Sequence, residues 1–288
     1  MRKVVRTILL TGLLCSLEFL RTEESFGNAP FKALASNSTA EQTMLDGRAN
    51  RCANAMSILL AVVAWSRNGH PPHKVPVSQL PDRHTFLFVS GMTIDADGAP
   101  NAYSPDDTGL DELANAGTAA HWNGIITDRD GNPLVQQESD PFPGYYISCT
   151  SLSDTSKRFT DPAAYVDASK IPYIALPKAL ADRGGARLGD LAFVMNLRNS
   201  KSSFAIYAEI GSLGEGSIAL ADTLGIWSDA RQGGQSDGVL YVMFPRSGNL
   251  RPRTTEQIQS EGEELLYRMI RMKERYSCAE TAVADEQF

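Results

Sequence analysis

Between residues 81 and 250 the chain consists of short runs of β-branched and aromatic residues, separated by turns rich in Gly, Asp, Asn and Pro. Many short strands without long helices between them favour a β-barrel or a β-sandwich. The sequence DRDGN at 128–132 predicts a hairpin turn. Strands are predicted at 85–89, 124–127, 145–151, 173–175, 191–196, 204–210, 217–220 and 239–244.

Helical patterns flank this β-rich region on both sides. The sequence STAE at 38–41 has the spacing of a capping box, and the apolar run that ends at Trp65 predicts a helix packed on the main body. The sequence GHPPHK at 69–74 predicts a linker. Apolar residues at helical spacing over 254–276 predict a closing helix. The chain therefore divides into a leader at 1–29, a helical segment with its linker at 30–80, a β domain at 81–250, and a helix with a tail at 251–288.

The first residues have a basic head, MRKVVR, followed by an apolar stretch that reaches Leu20. This layout is typical of a secretory signal with an exit site near 27–29, and it predicts a secreted or periplasmic protein. Glu18 interrupts the apolar stretch, so a disordered leader is the alternative. The uncharged run at 53–65 is too short to span a bilayer, and no membrane span is expected.

Charge and cysteine content exclude some classes of protein. The chain has 288 residues and a formal net charge of -7, which disfavours a nucleic-acid reader, since such proteins need a basic surface for phosphates. None of the four cysteines forms a CxxC pair, so a structural zinc site is not expected. If Cys15 leaves with the leader, at most one disulfide can form. A monomer is expected.

Most catalytic motifs are missing from the sequence. It contains no nucleophile elbow, P-loop, dinucleotide fingerprint or HExxH helix. The four histidines are scattered, and His70 and His73 lie in the Pro-rich linker, where a metal site is not favoured. Carboxylates remain as the groups that can carry chemistry, and no metal or organic cofactor is required.

A first acidic pair, Asp95 and Asp97, lies in the sequence GMTIDADG at 91–98. Residues two apart on an extended strand face the same way, so the pattern places two negative charges on one surface. A calcium loop is one alternative, although the later ligands of an EF-hand are missing. A solvated Asp-Gly turn is the other.

A second pair, Glu209 and Glu215, flanks a Gly-rich connection between two predicted strands. Two carboxylates across a tight connection can act on one bond, because one can protonate a leaving oxygen while the other activates water. Glycines at 211, 214 and 216 allow the backbone to lie close to a ligand. The alternative is an ordinary hairpin with solvated glutamates.

Six patches with conserved order and spacing resemble one known family, the fungal-type chitosanases of glycoside hydrolase family 75 and their bacterial relatives. The resemblance covers residues 86–247. The patches are GMTIDADG at 91–98, VDA at 166–168 with IPY at 171–173, LP at 176–177, LGDLA at 188–192, GEGSI at 214–218 and GVLYVMFP at 238–245.

The resemblance implies an endo-acting, inverting hydrolase that cleaves β-1,4 linkages in chitosan, a polymer of glucosamine. Glu215 matches the family's catalytic Glu in the Gly-Glu-Gly-Ser turn. The family's catalytic Asp falls on Glu209, which is a departure, and the connecting loop is shorter here. An inverting pair needs its carboxyl groups roughly 6.5 to 9.5 Å apart, so these two changes put activity in doubt.

In this interpretation the substrate is an amino-sugar polysaccharide. Asp95 and Asp97 are expected to line the cleft and to bind glucosamine ammonium groups. Tyr103 and Trp122 are expected to lie under sugar rings. An acidic cleft suits such a polycationic substrate.

The LGDL patch also resembles the Gly-Asp turn of double-psi β-barrels, in which Asp190 is expected to bind backbone amides. This analogy refines the expected fold to a mainly β protein, a six-stranded double-psi-like barrel with helical N- and C-terminal additions. Two other functions stay open. One is a glycan-binding or cell-wall-binding module without turnover, and the other is an envelope interaction protein that uses the apolar run at 53–65.

Overall fold

The computed structural model describes residues 57–64, 73–80, 82, 84–119 and 121–285. The leader at 1–29, the capping box at 38–41 and most of the linker at 69–74 lie outside this range. Within it the strands are Ser57–Ala64 (β1), His73–Gln79 (β2), Phe86–Asp95 (β3), Gly117–Thr118 (β4), His121–Trp122 (β5), Tyr173–Leu176 (β6), Leu191–Asn196 (β7), Lys201–Ile210 (β8), Glu215–Ser217 (β9) and Gln235–Phe244 (β10). The α-helices in the same range are Lys178–Gly184 (α1), Ile218–Leu224 (α2) and Thr255–Asp285 (α3).

Six strands close into a barrel in the order β3-β10-β7-β8-β6-β9, and β9 pairs back onto β3. The pairs β3–β9 and β6–β8 are parallel, and the other four are antiparallel. Strands β2 and β1 continue the sheet outward from β3. The prediction of a mainly β protein built on a barrel is therefore confirmed.

Strands β7 and β8 are apolar over most of their length because helices cover the face that points away from the barrel interior. Helix α2 packs on β8, and α3 packs on β7 and β8. Gly262 of α3 lies so close to Phe204 that a Cβ atom there would be 2.3 Å from the ring. Phe204 in turn contacts Phe193, with the ring centroids 5.4 Å apart. This packing explains why β7 is buried at five of its six positions.

The N-terminal helix predicted to end at Trp65 is wrong where the chain is described. Residues Ser57–Ala64 form β1, which pairs antiparallel with β2, so the described part of the segment 30–80 is a strand pair. Leu59 and Val62 pack against the barrel core. A short run that is apolar on all sides fits a buried strand as well as a helix, and here pairing with β2 decides between them.

Two kinds of error affect the predicted strands. The strand predicted at 217–220 is wrong, because Ser217 ends β9 and caps α2, with its hydroxyl accepting a hydrogen bond from the Leu220 N–H at 3.2 Å. The segments 124–127 and 145–151 form isolated bridges, such as Ile125 with Ser148, in place of full strands. The turn predicted at 128–132 is confirmed by a 2.9 Å hydrogen bond from the Asp128 N–H to the Asn132 carbonyl.

The segment predicted as a helix at 254–276 is α3, which extends further, to Asp285. Its first turn contributes Ile258 to the buried core, and Leu266 follows on the same side. The spacing of these two residues places them on one face of an α-helix, and this spacing in the sequence predicted the helix.

Asp190 occupies the Gly-Asp turn before β7 and is 1% exposed. Its Oδ2 accepts hydrogen bonds from the N–H groups of Arg187 and Arg246 at 2.8 and 2.9 Å, and its Oδ1 accepts one from Gly248 at 2.7 Å. The prediction that Asp190 binds backbone amides is therefore confirmed. The carboxylate ties the start of β7 to the chain that follows β10.

We expect Asp190→Ala to lower the free energy of unfolding by about 3 kcal/mol, because it leaves three backbone donors without their acceptor. Urea denaturation followed by circular dichroism measures this loss. Asp130→Ala, at an exposed turn position, is the control and should change stability by less than about 0.5 kcal/mol. Equal effects of the two substitutions would contradict the assigned role.

Candidate active site

Glu215 and Glu209 lie on strands of the barrel that are separated by one strand, β6. Glu209 pairs with Ala175 in the parallel register of β6 and β8. On the other edge of β6, Ile174 pairs with Gly216 in an antiparallel register, which places Glu215 beside Ala175. Directly paired residues point to the same face of a sheet. Two strand spacings separate the two glutamate Cα atoms by about 9.5 Å, with a small residue between them.

Glu209 is bound through both carboxylate oxygens. The Ser151 N–H donates to Oε2 at 2.8 Å, and the Ser151 hydroxyl donates to Oε1 at 2.5 Å. The Ile210 N–H also donates to Oε1, at 3.0 Å. Burial raises the pKa of Glu209 above its ordinary value, the three hydrogen bonds oppose that shift, and the charge of Glu215 adds to it. Fixed donors therefore orient Glu209, while burial holds its pKa above the ordinary value.

Glu215 is positioned by the loop that precedes it. The Ser212 N–H donates to Oε2 of Glu215 at 2.6 Å. Gly211 must lack a side chain here, because a Cβ atom would be 2.3 Å from the same Oε2 and 3.1 Å from the Ala175 methyl group. The absence of a side chain at Gly211 therefore allows the loop backbone to lie close to the Glu215 carboxylate.

Asp95 ends β3 next to Glu215. Thr93 pairs with Glu215 and Asp95 with Ser217 in the parallel register of β3 and β9, so Asp95 shares the face of Glu215. Burial, and then the charges of Glu215 and Glu209, raise the pKa of Asp95 from 3.8 to about 8. Asp95 is therefore a buried neighbour of Glu215, and its binding of a substrate ammonium group stays a prediction.

Asp97 lies beyond the end of β3, in a turn. The Asp97 N–H donates to Oδ1 of Asp95 at 2.9 Å, so the strand alternation that predicted a shared face does not extend to Asp97. Its Oδ1 accepts a 2.6 Å hydrogen bond from the Tyr103 hydroxyl, and Gly124 is packed against it. Burial, and then the charge of Asp95, raise the pKa of Asp97. The half-buried Asp97 is held in place by protein groups.

The two aromatic residues predicted to lie under sugar rings differ in their surroundings. Tyr103 is 1% exposed, so it cannot contact a sugar ring, and this prediction is wrong. Its role is to orient Asp97. Trp122 is half-buried in the β4–β5 pair, with its ring 6.5 Å from that of Tyr146. A sugar contact at Trp122 stays a prediction.

Sequence reasoning missed Ser151, which binds Glu209 from 58 positions away in the chain. It belongs to a segment predicted as an ordinary strand, and no motif marks it. It also missed Tyr173, whose buried hydroxyl donates to the Asp97 carbonyl at 3.0 Å. A tyrosine in an apolar run gives no sign of its hydroxyl's partner, since only closure of the barrel supplies it.

The four acidic residues Asp95, Asp97, Glu209 and Glu215 lie close together. The charges of Glu215 and Glu209 help to raise the pKa of Asp95, those of Asp95 and Glu209 help to raise the pKa of Asp97, and the charge of Glu215 helps to raise the pKa of Glu209. No protein family and no curated protein matches the chain. The arrangement of these four acidic residues is therefore the main evidence for the site.

Three further observations concern the described part of the chain. It contains no group of three or more His, Cys, Asp or Glu residues arranged to hold a metal ion. It also has no helix of the length and apolar character that crossing a membrane needs. Cys149 is unpaired there, and its Sγ is 3.5 Å from the Asn123 carbonyl oxygen. Cys15 and Cys52 lie outside the described residues, as does the side chain of Cys278.

A separate cavity of about 230 Å³ lies between the start of α3, α2 and the start of β8. Ser, Thr and Gln side chains line it together with Lys170, Pro172 and Ala219, and none of its lining residues carries a carboxylate. Several of these groups bond to one another, as Gln259 does to Ser203 at 3.1 Å. The cavity contains no acid–base pair, so the cluster of Asp95, Asp97, Glu209 and Glu215 remains the candidate active site.

The raised pKa of Asp95 predicts a pH-dependent stability. Between about pH 4 and about pH 8 the unfolded chain ionises Asp95 while the folded protein keeps the proton, so the free energy of unfolding should fall as pH rises through this range. The contribution can reach about 1.4 kcal/mol per pH unit. Asp95→Asn should make the profile flatter, as measured by urea denaturation at several pH values. Asp130→Asn, the exposed control, should leave it unchanged, and parallel wild-type and Asp95→Asn profiles would contradict the assignment.

Proposed function

We propose that the protein is a glycoside hydrolase that cleaves β-1,4 linkages within chitosan or a related amino-sugar polymer by an inverting mechanism. One observation carries the proposal: Glu209 and Glu215 share a barrel face with only Ala175 between them. A separation of roughly 6.5 to 9.5 Å between the carboxyl groups would leave room for a water molecule, as inversion requires.

In the proposed mechanism Glu209 is the general acid and Glu215 the general base. Burial raises the pKa of Glu209, and a raised pKa favours the role of a proton donor to the leaving oxygen. Glu215 is held by the Ser212 N–H and would take a proton from the water that attacks the opposite face of the sugar. The resemblance leaves these roles open, and the burial of Glu209 favours this assignment.

The proposed family is that of the fungal-type chitosanases, in a secreted or periplasmic bacterial relative. The chain's net charge of -7 favours attraction of a polycation. The two parallel pairs, β3–β9 and β6–β8, in an otherwise antiparallel six-stranded barrel support a double-psi topology as the finer description of the fold.

A second candidate function is glycan binding without turnover. It is favoured by the environment of Glu209, where three donors from Ser151 and Ile210 occupy both carboxylate oxygens. A carboxyl group held in this way can line a binding groove, yet it must release a hydrogen bond before it can donate its own proton.

Incubation of the purified protein with chitosan, chitin and peptidoglycan distinguishes the two candidates. The hydrolase proposal predicts new reducing ends from chitosan, with the chain broken internally so that viscosity falls early. Retention of the protein on chitosan without new reducing ends would support the binding module. Absence of both binding and cleavage would contradict both candidates.

A further inference from the structure

Trp227 is an exposed aromatic residue for which the proposed mechanism has no role. It follows α2, and 60% of its surface is accessible to solvent. Large aromatic side chains are mostly buried in soluble proteins, and an exposed tryptophan is often a contact residue for a ligand or partner.

The strand register places Trp227 in line with the catalytic pair. Trp227 forms an antiparallel bridge with Gly234. Gly234 precedes Gln235, which pairs with Met92, so Gly234 lies beside Thr93. Thr93 in turn pairs with Glu215.

This series of paired residues places the Trp227 backbone three strands from Glu215, with Gly234 and Thr93 between them. Three strand spacings put the two Cα atoms about 14 Å apart. The side chains between Glu215 and Trp227 are small, because Gly234 has none and that of Thr93 is short and half-buried. Neither residue carries a large side chain that would keep an extended polymer from contacting both Glu215 and Trp227.

The loop that carries Trp227 is fixed by hydrogen bonds. The Trp227 carbonyl accepts a hydrogen bond from the Gly234 N–H at 2.7 Å. The Arg231 guanidinium donates to the carbonyls of Asp107 and Asp111 at 2.7 and 3.0 Å. These hydrogen bonds hold the loop that carries the exposed Trp227 ring in one conformation, which lowers the entropic cost of binding a ligand.

We propose that Trp227 is a substrate-binding platform on which a pyranose ring of the polymer stacks, a few sugar units from the bond that is cleaved. The flat indole face matches the apolar C–H face of a sugar ring, and it also attracts a nearby ammonium group through the ring quadrupole. The identity of the polymer rests on the proposed function, whereas the platform itself rests on the register and exposure of Trp227.

The test measures binding of glucosamine oligosaccharides by isothermal titration calorimetry in the Glu215→Gln background, where cleavage is not expected. Trp227→Ala should weaken binding of a hexasaccharide about tenfold and leave binding of a disaccharide unchanged, because a disaccharide held at Glu215 is too short to reach the platform. Trp227→Phe keeps a ring and should retain most of the affinity. Tyr267→Ala removes an aromatic residue of similar exposure, 55%, from α3 and serves as the control.

Equal hexasaccharide affinities for Trp227→Ala and Tyr267→Ala would overturn the platform even if the wild-type protein cleaves chitosan. Binding that depends on Trp227 in a protein that releases no reducing ends would support the platform and contradict the hydrolase. If the protein binds neither oligosaccharide, the platform for this substrate class is overturned as well.

Discussion

Glu215→Gln should reduce the release of reducing ends from chitosan by a factor between about 100 and 10,000. The amide keeps the size of the side chain and can still accept the Ser212 hydrogen bond through its carbonyl oxygen, so the loop should stay in place. It cannot take a proton from water. Binding of chitosan oligosaccharides should therefore persist while turnover is lost, which initial-rate kinetics and calorimetry on the same preparation can show.

Glu138→Gln is the matched control, because Glu138 is exposed and lies in the loop that the isolated bridge between Val135 and Tyr146 closes. It should keep wild-type activity. Glu209→Gln should lose activity to a similar degree as Glu215→Gln, and the double variant should be little worse than either single one, because the two carboxyls act on one bond. Full activity in Glu215→Gln would remove this residue from the mechanism.

Gly211→Ala should reduce turnover about a hundredfold while the protein stays folded. The new methyl group would lie 2.3 Å from Oε2 of Glu215 in the present geometry, so the carboxylate must move. The atom it meets is the end of a flexible side chain, and for that reason the cost to stability should be small. A displacement of about 1 Å at a reacting group is enough for a loss of this size.

Gly144→Ala provides the opposite control for this prediction. No atom lies within 4 Å of its ideal Cβ position, but its φ angle of +90° is unfavourable for alanine. It should therefore lose about 1 kcal/mol of stability and keep its activity. If Gly211→Ala retains turnover, or if both variants lose activity in proportion to their stability, the contact between loop and carboxylate has no catalytic importance.

Local patterns in the sequence predicted several barrel strands well. The short apolar run at 191–196 predicted β7 with its observed bounds, and parts of β3, β6, β8 and β10 were also predicted from short apolar runs. The Gly-rich connection between Glu209 and Glu215 also predicted that the two residues would come together. These features depend on residues close together in the chain, where the pattern carries the information.

Contacts between residues far apart in the chain determine the features that could not be predicted from the sequence. Residues 57–64 form a strand because β2 supplies a partner. Ser217 ends β9 and caps α2, and its hydroxyl also bonds to the backbone of Ile171 and Tyr173, which lie far away in the sequence. Ser151 reaches Glu209 only in the closed barrel. Tyr103 resembles a surface aromatic in a polar loop, whereas the fold buries it against Asp97.

The stereochemistry of the first product tests the central claim most directly. Proton NMR of chitosan oligosaccharides during the first minutes of reaction shows which anomer of the new reducing end forms before mutarotation. An inverting reaction between Glu209 and Glu215, which lie on strands separated by one strand, predicts the α-anomer from a β-linked substrate. Initial formation of the β-anomer, or no cleavage by the pure wild-type protein, would contradict the account.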